Sequence, residues 1–407
     1  MNLCAKSELC IFDRPAAQVV VENGVFEEIY PVNSISNSKS DLEFLITGSQ
    51  TEYLDLNDTL LAIEMKVVDQ HGKDLAADAD VSGSQYMFHT LFHDVVLSLN
   101  GIKVEGGNGK YTSKALIETI INYNTDSKAT TMAPMGYLDK DERKALVAKS
   151  KKFTLCSSLQ LDFFDQPKYL ISGVNVHIRL LRNRGSSCLI SSKDEPKVTL
   201  LNAKLLVRRV RLEQSVLIGH QIGLNKSNAC YPFRLKEVVN YNIPIGSTSF
   251  YKENLFGDRQ IPLFVLVAFQ TNDRHNGSYK KELSEFDHLN VNSLTLSKGT
   301  DYREKYAQDF DNDSFTTSYM QSIVRNMGHL DKNLNCGIEL SEFKSQTPFF
   351  TFVLAPDFDI NQNQLPQHGN LRLDVKFTKA LTEAAYCIVY GVFEKELQIT
   401  SNRSVLV

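Results

Sequence analysis

The chain has 407 residues, 42% hydrophobic and 23% charged, a composition that excludes a largely disordered protein and leaves room for one large core or two of about 200 residues each. Forty-four Lys and Arg against 48 Asp and Glu give a net charge of −4, too mild for a protein that coats a nucleic-acid backbone, which shows a basic excess. The longest apolar run, IPLFVLVAF at 261–269, is far short of the roughly 20 residues of a spanning helix, and the start, MNLCAKSELCIFDRPAAQ, has early acidic residues and no apolar h-region, so neither a transmembrane segment nor a signal peptide is expected.

In chain order, DLEFLITGSQ (41–50) alternates apolar and polar residues, and LLAIEMKVVD (60–69) places Leu61, Ile63, Met65 and Val67 on one face. Both read as strands. HDVVLSLNGIKV (93–104) reads as a strand, an Asn100-Gly101 turn and a short return, the strongest local hairpin signal. YTSKALIETIINYN (111–124) carries Leu116, Ile120 and Ile121 at helical spacing, and DKDERKALVAKSKK (139–152) is a shorter helix candidate. Strands are expected at 169–181 and 198–212; in the latter Arg209 and Arg211 share a face with Val207, so the alternation is imperfect. The second half gives strands at 233–245, 262–270, 291–299, 349–357, 370–378 and 384–400, interrupted by a polar, partly helical stretch at 302–327. Many short strands separated by Gly, Asn and Pro turns predict sandwiches or barrels.

The order of elements recurs. FHTLFHDVVLSLNGIKV at Phe88 and FDHLNVNSLTLSKG at Phe286 are 198 positions apart, and each precedes a helical insertion. After the insertions, the runs beginning at Phe153 and Phe349 are 196 apart, and VNVHIRL at Val174 and LRLDVKF at Leu371 are 197 apart. Agreement of three landmarks predicts an internal duplication. The expected fold class is all-β: two tandem eight-stranded antiparallel jelly rolls, a double jelly roll, with helical loop insertions. The expected division is an N-terminal arm at 1–32, a first roll at 33–212 and a second at 213–407.

Three stretches carry a family resemblance: YPVNSISNSKSDLEFLITGSQTEYLDLNDTLLAIEMKVVD at 30–69, the Asn-Gly strand at 93–104, and YGVFEKELQI at 390–399 followed by Arg403. With the duplicated layout they make the chain resemble the double jelly-roll major capsid (hexon-type) proteins of Polinton (Maverick) elements and adintoviruses, in the adenovirus-like capsid lineage. The resemblance covers nearly the whole chain, although no single motif in it is as specific as a metal or nucleotide signature. It implies a homotrimer whose six similar lobes form a pseudo-hexagonal capsomer that tiles an icosahedral shell through heterologous contacts. It further implies neighbouring capsomers and a penton or minor capsid protein as partners, a place in the virion after assembly in the host nucleus or cytoplasm, exterior loops at 105–152 and 300–346, and an arm at 1–32 reaching a neighbour or the inner surface. No catalytic residue, cofactor or metal ligand carries over.

The residues agree that recognisable active-site chemistry is missing. Gly106-Gly107-Asn108-Gly109-Lys110 invites a phosphate-loop reading, but the required first Gly is Val104 and the required Ser or Thr is Tyr111; a flexible turn is expected instead. Asp309, Asp311 and Asp313 begin like a calcium loop, but its sixth position is Ser314 and its twelfth Met320, leaving a solvated acidic turn. His89 and His93 have no third ligand at zinc-like spacing and read as polar residues at a strand start, and His177 as solvent- or interface-facing. The seven cysteines, Cys4, Cys10, Cys156, Cys188, Cys230, Cys336 and Cys387, include no CxxC pair; Cys156 and Cys387 read as small hydrophobes in strands, and a reducing compartment fits best. Arg179, Arg182, Arg184, Arg208, Arg209 and Arg211 are dense and read either as strand charges that block unwanted pairing or as a weak contact with packaged DNA. Two other functions compete with a capsid subunit: a carbohydrate-binding or adhesion β-sandwich, disfavoured by the absence of Trp, and a β-sandwich hydrolase using Asp162, Asp165, Asp357 and Asp359, which fall at matching places in the two halves and read as a shared turn.

Overall fold

Two halves with one strand order account for nearly all the regular structure. In the computed structural model, which describes residues 17–35, 41–77, 79–257, 260–300, 302–327, 336–356 and 365–407, the first half contributes β1 (Val21–Ile29), β2 (Leu42–Ile46), β3 (Glu52–Val68), β4 (Val81–Gly83), β5 (Phe92–Leu99), β6 (Ile102–Glu105), β7 (Phe153–Ser157), β8 (Val176–Arg182), β9 (Leu189–Ser191) and β10 (Lys197–Leu212). The second contributes β11 (Ala229–Ile243), β12 (Ser249–Lys252), β13 (Phe264–Thr271), β14 (Val291–Lys298), β15 (Tyr302–Ala307), β16 (Phe350–Val353), β17 (Leu371–Phe377), β18 (Ala385–Ile399) and β19 (Val405–Leu406). The first half forms sheets β1-β10-β3-β7 and β2-β8-β5-β6, and the second β11-β18-β13-β16 and β12-β17-β14-β15. Setting aside the β4–β9 ribbon and β19, which adds to β18, the halves correspond strand for strand. Each is an eight-stranded antiparallel jelly roll, and the chain is a double jelly roll.

Alternation sets the faces. Leu61, Ile63, Met65 and Val67 of β3 are fully buried, as are Phe44 and Ile46 of β2 and Val176, Ile178 and Leu180 of β8. The broken alternation of β10 has a structural cause: a register shift between Leu206 and Arg208 moves the buried series from Ala203, Leu205 and Val207 to Val210 and Leu212, as a β-bulge does. All eight residues of β13 are buried, which explains why the apolar run at 261–269 has no alternation. β5 turns into β6 at Asn100 and Gly101, both left-handed with φ of 46° and 82°, the geometry of a two-residue primed turn. The apolar core is continuous through both rolls.

The structure departs from the expectations in several places. Within the segment expected as an arm, residues 21–29 are β1, paired along β10 from Val21–Leu212 to Ile29–Leu205; residues 1–16 lie outside the described residues. β1 is exposed on both faces, so it lacks the alternation that would mark it. Residues 302–307 are not helical but form β15 against β14, and helix is confined to Thr316–Tyr319 and a π-helical turn at Met320–Arg325. The first insertion is not simply an exterior loop: its helix Tyr111–Asn122 is buried over most of its length. It stops two residues early because Asn124 caps the next helix, accepting from the Ser127 amide at 2.8 Å. Finally, Gln214–Leu224 is a helix that joins the rolls, capped by Glu213 and largely exposed. The second predicted helix is shorter than expected: Lys140–Val147 starts with a capping box of Asp139 and Glu142 and is followed by left-handed Lys149 and Ser150.

Candidate functional site: the seam between the rolls

The strongest electrostatic feature lies where the second roll meets the first. Lys114 and Glu118 are one helical turn apart on Tyr111–Asn122, both buried. Glu105 ends β6, and Asp162 and Asp165 flank a single 3-10 turn after β7. The Lys114 ammonium lies 2.5 Å from Glu105 and 2.9 Å from Asp162. From the second roll, Lys236 of β11 reaches Asp165 at 3.0 Å, Asp162 at 3.5 Å and Glu118 at 3.7 Å, and its backbone amide donates to Asp162 at 2.7 Å. Tyr390 of β18 donates to Glu118 at 3.5 Å.

Three buried carboxyls, Glu105, Asp162 and Glu118, thus face two ammonium groups in a place from which water is largely excluded, with exposed Asp165 at the rim. Burial, reinforced by Glu105, raises the Asp162 pKa well above the ordinary carboxylate value against the pull of the two lysines. Burial likewise raises that of Glu118. Burial alone would depress Lys114 and Lys236, but the surrounding carboxylates more than offset it and both lie above the usual lysine range. Removing one member of such a set leaves a charge without compensation, which costs far more than an exposed pair contributes.

Further ties run along the seam. Gln166 donates to the Pro232 carbonyl at 2.7 Å and Lys168 to that of Cys230 at 2.8 Å. The Tyr231 hydroxyl accepts from the Ile171 amide at 3.1 Å, and Phe163 packs edge-on against Tyr231 and Phe233. Near the C-terminus Arg403 donates to the Ser172 carbonyl at 2.6 Å, while Asn100 donates to the Arg403 carbonyl at 2.8 Å. On another side, Arg143 bridges Glu282 at 2.5 Å and donates to the Gly83 carbonyl. The signal for this network was partly present in sequence, as a Lys and a Glu one turn apart on an otherwise apolar helix. Their partner Lys236 is more than a hundred positions away, where no local pattern points to it.

The arrangement does not suit hydrolysis. The Asp162 side chain has no exposed surface and is held by two lysines at the wall of a cleft of about 920 Å³ that Asp165, Gln166 and Glu394 also line, so its carboxylate is committed to ion pairs. Asp357 and Asp359 lie outside the described residues. The glycine loop after β6 is folded onto an anion already, since the Gly109 amide donates to Asp94 at 3.0 Å. Asp309 accepts from the amides of Asp311 and Asn312, and Asp311 and Asp313 pair with Lys379 and Lys344. His89 and His93 are separated by burial: His89 is fully enclosed with its Nδ1 3.1 Å from the Tyr111 hydroxyl, whereas His93 is exposed. His177 is half-exposed, 3.9 Å from Glu43. Among the described residues no group of three His, Cys, Asp or Glu is placed to hold a metal ion, and no helix is long and apolar enough to cross a membrane.

The arginines between 179 and 211 are largely matched within the chain. Arg179 pairs with Asp41 and Glu43, Arg208 with Asp55 and Asp58, Arg209 with Glu27, and Arg211 with Glu22. Arg182 donates to the Val198 carbonyl. The ion pairs of Arg179, Arg208, Arg209 and Arg211 run between neighbouring strands and their flanks, while the Arg182 contact links β8 to β10 of the facing sheet. Cys188, Cys336 and Cys387 are buried free thiols, Cys156 is half-buried in β7, and Cys230 is exposed.

No protein-family model matches the chain, and no curated protein matches it in sequence. Solved structures do match in shape. A chain of the Sputnik virophage superposes with a TM-score of 0.61 at 10% identity, covering 98% of this chain and 91% of that one. The mavirus major capsid protein gives 0.57 at 9% identity over 98% and 92%, and the Faustovirus major capsid protein 0.56 at 8% identity over 97% and 93%. Coverage near completeness on both sides means that both rolls and their connection are shared. The chain therefore has the double jelly-roll fold of viral major capsid proteins, the hexon-type architecture.

Proposed function

We propose that this chain is a viral major capsid protein that acts as a structural subunit of the virion, with no catalytic turnover. The observation that carries the reading is the strand-for-strand duplication together with full-length similarity to major capsid proteins. Two similar lobes per chain become six in a homotrimer, and six lobes let a threefold object fill a hexagonal lattice of an icosahedral shell. Neighbouring capsomers and a penton or minor capsid protein follow as partners. The division into a first roll, a connecting helix and a second roll supports this geometry, because the buried charge network ties together the two lobes that one chain would supply, one third of the ring. The narrower affinity with Polinton and adintovirus proteins rests on the sequence stretches at 30–69, 93–104 and 390–399. With most of its arginines matched by carboxylates, the 179–211 region supports a structural role over contact with packaged DNA.

Light scattering on purified protein tests the proposal. Three copies of 45.9 kDa give about 138 kDa. A mass of about 46 kDa at every concentration tried would contradict it.

A further inference from the structure

A groove of about 540 Å³ opens where both rolls meet the helix Gln214–Leu224. The helix contributes Val216, Gly219, His220, Gly223 and Leu224, which fall on one side of it at helical spacing. The first roll contributes Tyr53, Ile171 and Leu212, and the second Ala229 and Tyr231. Val20 and Val21, where β1 begins, complete the lining.

The helix is unusual for an exposed one. Its eleven residues, QSVLIGHQIGL, hold no Asp, Glu, Lys or Arg, although Leu224 alone among them is buried. Gly219 and Gly223 lower its helical stability relative to alanine. No described neighbour requires them, since a Cβ built on either meets nothing within 4 Å. A side chain at either position would take up space in the groove that both line. The two glycines thus keep open a volume that the described residues do not use.

The main polar groups of the lining are already matched. Tyr53 Oη lies 2.8 Å from His220 Nδ1. The Tyr231 hydroxyl accepts from the Ile171 amide and donates to the Tyr169 carbonyl. Lys168 donates to the Cys230 carbonyl, and Asn228 to the Gln398 side chain. What remains is aliphatic and aromatic surface, which selects an apolar occupant over an ion or a sugar.

The covalent chain brings such an occupant to the rim. Gln18 accepts from the Val21 amide at 3.0 Å and donates to the Val21 carbonyl at 3.1 Å, and the Val20 carbonyl accepts from the Glu213 amide at 2.9 Å. Residues 18–21 are therefore pinned between the groove and the start of the helix. Upstream, outside the described residues, the sequence holds the apolar run Leu9-Cys10-Ile11-Phe12 between Glu8 and Asp13. The eight positions from Phe12 to Val20 span up to about 26 Å, and a tether this short holds the run at a local concentration on the order of millimolar.

We propose that the run at 9–12 seats in this groove of its own chain, with its apolar side chains over Gly219 and Gly223. Seated there it is a strap across the seam, touching both rolls and the helix that joins them. The contact lies within one chain and stands whether or not the chain forms a trimer.

Two native thiols report it, because Cys230 is exposed and lines the groove and Cys10 lies within the run. The test uses the full chain with Cys4→Ser, oxidised by copper phenanthroline under native conditions and mapped by mass spectrometry. A Cys10–Cys230 disulfide within one chain, at monomer mass on a non-reducing denaturing gel, is the expected product. Phe12→Asp, which carries a charge into the groove, and Gly219→Leu, which fills it, should each slow that disulfide at least tenfold with circular dichroism unchanged. A second measurement needs neither variant: Cys230 of the wild-type chain should be alkylated at least fivefold more slowly than in a chain carrying Leu9→Ser, Cys10→Ser, Ile11→Ser and Phe12→Ser. No disulfide within one chain, a rate that neither variant changes, or equal alkylation with and without the apolar run would overturn the proposal.

Discussion

Replacing Lys236 with Met removes the ammonium that the second roll places among the carboxyls of the first, while keeping the length and apolar volume of the stem. The Lys236 side chain is only 14% exposed, so its loss is not relieved by solvent. Its contact with Asp165 contributes little, because that carboxylate is 64% exposed. The cost comes from Asp162 and Glu118, whose side chains are 0% and 1% exposed. Breaking a buried pair by deleting one partner costs about 3–5 kcal/mol; with separations of 3.5 and 3.7 Å the lower end, about 3 kcal/mol, is expected. Two controls separate this electrostatic origin from lost packing. In Lys236→Met combined with Asp162→Asn the excess carboxylate is gone, and at least about 1.5 kcal/mol should return, within the range of measured pair couplings. At pH 5 the single variant should also lose less than at pH 8. Asp162 and Glu118 have raised pKa values, so they take up a proton more readily there than an ordinary carboxyl. The assay is urea unfolding followed by circular dichroism at one fixed protein concentration, since assembly itself stabilises. A loss below about 1 kcal/mol at pH 8, or no recovery in the double variant, would refute the claim that the charge network clamps the rolls together.

The remaining predictions are narrower. Burial holds the His89 pKa down to about 3, below its unfolded value of about 6.5. Its contribution is therefore fully present above pH 6.5 and is lost as pH falls toward 3, by about 2 kcal/mol at pH 5. The stability gap between wild type and His89→Gln should narrow by that amount from pH 7 to pH 5, and a constant gap would contradict the assignment. Gly101 and Gly106 both have φ of +82° but differ in space. Gly101→Ala meets nothing within 4 Å and should cost only the left-handed penalty of about 1–2 kcal/mol. At Gly106 an added Cβ would lie 1.9 Å from the Val95 carbonyl oxygen, so Gly106→Ala should cost more than about 3 kcal/mol or yield no folded protein; equal midpoints for the two variants would contradict the geometry. Arg403→Ala removes the donor to the Ser172 carbonyl and should lower stability by about 1–2 kcal/mol, read as a shift of the urea midpoint without a change of slope.

The fold was legible wherever one face of a strand is buried and the other is not. β2, β3 and β8 announce themselves by alternation, and Asn100-Gly101 by turn chemistry. The duplication was legible because both rolls keep nearly the same spacing from the fourth strand to the seventh. Legibility failed where burial is absent, since β1 is exposed on both faces and the helix Gln214–Leu224 is mostly exposed, leaving no periodic signal in either. It failed differently at β15, where a polar edge strand reads like the helical stretch that follows it. The seam network was hidden because Lys114, Glu118 and Lys236 are matched across the fold, and the partners of the arginine cluster, Glu22, Glu27, Asp41 and Asp55, likewise lie far away in sequence, which left strand charges and a contact with packaged DNA both open.

The most direct test of the central claim, that two like lobes per chain combine into a six-lobed block, is negative-stain imaging of the purified wild-type chain. Class averages down the symmetry axis should show three copies as a hexagonal outline with six similar lobes, threefold on close inspection. Averages showing a two-lobed particle, or a ring whose lobe number is not six, would contradict it.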